Sequence, residues 1–68
     1  MSRRAMQESL TIDLKHQLDA KSINVDLHNK ALKVIHNFSA DDWKDIDNMS
    51  TVEAVEMVLD VARLKEGA

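Results

Sequence analysis

An all-α fold is predicted by three features of this chain: it contains no proline, its single glycine is Gly67, and its apolar residues recur mostly at helical spacing over 68 positions. Proline and glycine are the two strongest helix breakers, so a chain this continuous favours helices joined by short polar turns. The expected architecture is a small domain of three to four helices, with residues 1–68 forming a single unit. A chain of this length keeps much of its surface wet and cannot support two separate cores. There is no cysteine, so disulfides cannot reinforce the core, and self-association is the remaining simple source of extra buried surface.

The first segment runs from about Ala5 to Ala20. Met6, Leu10, Leu14 and Leu18 recur every fourth residue as a narrow helical stripe, but Leu10, Ile12 and Leu14 also alternate with Thr11 and Asp13 as in a strand. Segment length and the strong helix formers Ala5, Met6, Gln7, Glu8, Lys15, Gln17 and Leu18 favour helix, and the strand stays open as the alternative. Lys21, Ser22, Ile23 and Asn24 then form a turn in which Ser22 and Asn24 are both suited to cap a following helix.

From Val25 to Asn37, Leu27, Ala31, Val34 and Ile35, with Phe38 just beyond, mark an apolar face about 100° wide, the pattern of an ordinary core-facing helix. Ser39 followed by Asp42 resembles a capping box with aspartate in place of glutamate, and opens a short helix carrying Trp43 and Ile46. Ser50 followed by Glu53 is a second capping box, placed before the most regular segment, Thr51 to Glu66, with Gly67 positioned to end it.

That last segment carries two apolar seams. Val52, Val55, Leu59 and Ala62 form one; Ala54, Met57, Val58, Val61 and Leu64 form the other. At 3.6 residues per turn they cover an arc of about 220°, leaving Glu53, Glu56, Asp60 and Arg63 on a narrow polar strip. So wide an arc belongs either to a central helix or to one that also packs on a partner. The expectation drawn from it is a homodimer through the C-terminal helix, with Val55, Val58, Leu59, Val61 and Ala62 in the interface.

Twelve acidic against nine basic residues give a formal charge of −3, which opposes non-specific attraction to nucleic acid and to anionic lipid. The charge is uneven: Arg3 and Arg4 stand at the front, and Asp41, Asp42, Asp45, Asp47, Glu53, Glu56 and Asp60 dominate the stretch 41–60. Any contact with DNA would therefore involve the front of the chain. No apolar run follows Arg3 and Arg4 as in a signal peptide, and no segment approaches the roughly 20 apolar residues of a membrane span. The expected location is cytoplasmic, with no membrane partner.

Residues able to carry chemistry are few. His28 and His36 stand eight positions apart on one helix, about 12 Å along its axis, which is too far to share a metal ion. Asp13, His16 and Asp19 fall three apart, but one such trio lacks the partner helices that complete a bundle metal site. Asp45, Asp47 and Glu56 have the spacing of calcium-loop positions one, three and twelve. The required glycine is replaced by Ser50, and Met49 offers no side-chain oxygen where the loop needs one.

The run Asp47-Asn48-Met49-Ser50-Thr51-Val52-Glu53 resembles the Asp-Ser-Leu segment of acyl carrier proteins, which also precedes an acidic helix. The phosphopantetheine-bearing serine of that family corresponds to Asn48 here, so the resemblance implies no attachment site, and Ser50 reads as a helix cap. Neither an activated nucleophile nor a glycine-rich phosphate cradle is marked, and no enzyme activity or cofactor is expected. Trp43 and Phe38 are the only aromatic residues. They read as core bulk beside Ile35 and Ile46, with Trp43 as an interface anchor ringed by acids as the alternative.

The function expected from these residues is that of a small helical regulator, an adaptor or inhibitor, that self-associates and occupies the surface of another protein. The alternative is a dimeric DNA-binding regulator of ribbon-helix-helix type, with residues 9–14 forming the ribbon and Arg3 and Arg4 on the phosphates. Its outward residues would be Ser9, Thr11 and Asp13, which are poor groove readers because bases are read mostly by Arg, Lys, Asn and Gln.

Overall fold

The computed structural model describes the backbone of residues 3–67 and the side chains of residues 3–64. These residues form α1 (Arg3–Asp19), α2 (Val25–His36), α3 (Ala40–Asp47) and α4 (Thr51–Gly67), with no strand among them. The strand alternative at residues 9–14 is thereby corrected. Those residues lie inside α1, where Leu10 and Leu14 are fully buried and Ile12 is 58% exposed. A strand would put all three on one face, whereas the 3.6-residue period turns Ile12 away from the other two. The ribbon required by the DNA-binding alternative is not formed.

Each helix end has a local cause. Asn24 takes extended backbone angles and its side chain accepts the N–H of Leu27 at 2.8 Å, satisfying one of the donors that the first turn of α2 leaves free. Ser39 and Asp42 close a reciprocal box at the start of α3: the Ser39 hydroxyl accepts the Asp42 N–H at 3.2 Å, and the Asp42 carboxylate accepts the Ser39 N–H at 3.0 Å. At α4 the Ser50 hydroxyl accepts the N–H of Glu53 at 3.2 Å. The end of α1 uses a residue that no pattern marked. Lys21 has φ of 62°, donating to the Leu18 carbonyl at 3.0 Å, while Ser22 donates to the Gln17 carbonyl at 2.9 Å. This is the Schellman arrangement, in which the left-handed position normally goes to glycine.

The three long helices all touch one another, with α4 packed most extensively on α2 and also on α1. α1 contributes Met6, Leu10 and Leu14 to the core. α2 contributes Leu27, Ala31, Val34 and Ile35, with Ile23 from the preceding turn, and α3 contributes Trp43 and Ile46. α4 adds Ala54, Val55, Val58, Leu59 and Ala62. Ala31, Ala54 and Ala62 are fully buried, and small side chains of this kind bring helix axes close together. The radius of gyration, 11.3 Å, matches the value of about 11 Å expected for a folded chain of this length.

This packing covers most of the residues expected in an interface from within the chain itself. Val55, Val58, Leu59 and Ala62 are buried within a single chain and only Val61 keeps partial exposure. The wide arc of α4 follows from its position between α1 and α2, so a second copy is not needed to cover those four residues.

Candidate functional site

α4 is covered over most of its apolar arc but not at its edges. Val52 is 62% exposed at one edge. At the other, Met57 and Val61 are half-buried against the core and Leu64 is 75% exposed. Met57, Val61 and Leu64 are spaced four and then three residues apart, so they line up along one side of the helix. Leu64 is the most exposed large apolar side chain among the described residues.

The polar strip of α4 borders this edge. Glu53 lies one turn before Met57, and Asp60 lies one turn after Met57 and one before Leu64; Glu53, Glu56 and Asp60 are all exposed. Arg63 Nη1 reaches Asp60 Oδ1 at 3.5 Å with both side chains mostly in solvent, a geometry in which ion pairs contribute little to stability. The edge is thus an apolar stripe with an acidic border.

The border reflects a wider asymmetry. Residues 39–68 hold eight acidic and three basic residues, a formal −5, whereas residues 1–38 hold six basic and four acidic, a formal +2. Solvent-exposed charge of one sign on one part of a surface selects partners of the other sign and steers their approach.

Elsewhere the surface offers shallow, open relief. A depression of about 390 Å³ lies over α1 against Arg4, Gln7, Glu8, Thr11 and Ile12. Within it Arg4 pairs with Glu8 at 3.7 Å, and the Thr11 hydroxyl donates to the Gln7 carbonyl at 2.8 Å. A second, of about 400 Å³, lies at the α1–α2 turn against Leu18, Ile23 and Val25, among others. Neither brings a nucleophile to a base among the residues that line it.

The remaining sequence candidates separate in space or join the core. Asp19 is engaged by Lys15, whose ammonium donates to it at 3.3 Å, and among the described residues no three His, Cys, Asp or Glu side chains converge to hold a metal ion. Trp43 is 7% exposed and stands edge-on to Phe38, with ring centroids 5.2 Å apart at 90°. The Arg3 guanidinium lies 5.8 Å from the centre of the Trp43 ring, within cation–π range. Arg3 therefore covers the core from outside instead of projecting alone. Among the described residues no helix is long and apolar enough to cross a membrane.

The chain matches no protein-family model, no curated protein and no solved structure.

Proposed function

We propose that this chain is a small helical regulator that acts by docking on another protein, through the stripe of Met57, Val61 and Leu64 on α4. The observation that carries the reading is the partial cover of that helix. Five of its apolar side chains are enclosed, while the three on this edge are left half-buried or exposed in one continuous row. Apolar side chains in a row at helical spacing are what helix-to-helix recognition uses, and a polar border is the usual rim of such a contact.

The reading departs from the sequence expectation in location. Val55, Val58, Leu59 and Ala62 belong to the core of one chain, so recognition falls to Val61 and its neighbours on the edge. Replacing Leu64 by Ser tests it directly, because the side chain is mostly exposed. Proteins retained from the host by the wild-type chain are compared with those retained by the variant, with circular dichroism as the fold control. The reading requires that specific retention is lost in Leu64→Ser while helicity is unchanged. Equal retention by both chains removes the stripe from the function.

A further inference from the structure

Resting on the reading of α4 as a docking surface, we infer that the partner is a basic amphipathic helix. It would lay an apolar seam along Met57, Val61 and Leu64 and set lysine or arginine against Glu53 and Asp60. A seam spaced four and then three residues apart is that of paired helices, and it puts Ala54 and Val61 at a positions and Met57 and Leu64 at d positions. In that register Glu53 and Asp60 both occupy g positions, which flank the seam and choose its partner through charge. Val58 takes the e position on the opposite flank and is fully buried in the chain's own core. A partner helix can therefore reach only the acidic flank.

The same geometry disfavours a second copy as the occupant. Two α4 edges packed antiparallel would set g against g, bringing Glu53 and Asp60 of one chain against the same acids of the other. Packed in parallel, g would have to meet e, and Val58 at e is enclosed. Like charges brought together in an interface disfavour that pairing. The −5 balance of residues 39–68 acts at longer range in the same sense, attracting a basic segment and repelling nucleic acid.

Two synthetic peptides of about 18 residues, long enough to hold some helix alone, separate the parts of the argument. Both carry leucine at seam positions; one has lysine at all others, and its twin has glutamate. Each is titrated into the isotopically labelled full chain while backbone amide shifts are followed by nuclear magnetic resonance. The lysine peptide is expected to bind at least about tenfold more tightly than its twin and to shift the amides of residues 53–64. Its affinity falls as salt rises. Glu53→Lys combined with Asp60→Lys reverses the preference, and Leu64→Ser weakens binding of the lysine peptide; Trp43 emission reports that both variants stay folded.

Equal binding of both peptides at the edge, still sensitive to Leu64→Ser, overturns the basic partner and leaves the docking surface standing. Binding of neither peptide, or binding insensitive to Leu64→Ser, overturns both. Concentration-dependent shifts of residues 53–64 without peptide would assign the edge to a second copy and overturn the basic partner alone.

Discussion

α1 and α4 are equally long, at 17 residues each, and face the same core. α1 buries three side chains, all on one i, i+4, i+8 line, and turns Ile12 to solvent. α4 encloses five and half-buries Met57 and Val61. Both helices touch the other two long helices, so the difference comes from the extent of packing: α4 lies against α2 far more extensively than α1 lies against either neighbour. The more of a helix's circumference its neighbours cover, the wider the apolar arc it can bury. Width of an apolar arc is therefore a measure of how extensively a helix is packed within its own chain before it is evidence of a partner.

The comparison breaks most readily at Val58. Replacing it by Asp buries a charge in the fully enclosed part of α4, which costs more than the roughly 3–5 kcal/mol a domain this small has to lose. The variant is expected to be unfolded by circular dichroism, whereas Ile12→Asp on the wet side of α1 keeps the wild-type spectrum. A folded Val58→Asp chain would show that α4 is not central.

Leu14→Ala sharpens the comparison from the α1 side. Its side chain is fully buried, so truncation is expected to cost about 3 kcal/mol in urea denaturation. A loss below about 1 kcal/mol would mean that α1 is only loosely docked and that the core is carried by α2 and α4.

Asn24→Ala removes the acceptor for the Leu27 N–H at the start of α2 and should cost about 1 kcal/mol. Lys21→Gly should act in the other direction, raising stability by about 0.5 kcal/mol, because glycine takes the left-handed angle without the steric penalty of a side chain. Thermal melts of the two variants are expected to move to opposite sides of the wild type. A melt lowered by Lys21→Gly would place the value of Lys21 in contacts made by its side chain.

The smallest change in stability is expected at Leu64. As an exposed side chain at the edge of α4, it should alter stability by no more than about 0.5 kcal/mol on replacement by Ser. The same substitution is expected to weaken docking, so stability and binding separate at this residue as they cannot at Val58. A Leu64→Ser chain that loses much of its stability would move Leu64 from the binding edge into the core.

Much of the architecture was legible in local patterns. The four segments, the two turns around Asn24 and Ser50, and the aspartate-containing box at Ser39 all depend on interactions within a few residues, where spacing and side-chain chemistry suffice. The stripe at Met57, Val61 and Leu64 was also visible as part of an apolar seam. Its exposure was not, because the same spacing serves a covered row and an open one. The left-handed angle at Lys21 left no mark either, since it is the chain closing the end of α1, and not a glycine, that imposes it.

What the sequence by itself determined is helix, turn and cap, and the identity of the residues that avoid water. Tertiary structure alone decided which of those residues the chain covers for itself. Val58 and Leu64 both belong to one apolar seam of α4, yet one is fully buried and the other mostly exposed. The physical reason is that burial depends on the helices standing on either side, and α4 meets α2 and α1 across gaps in sequence that no helical period spans.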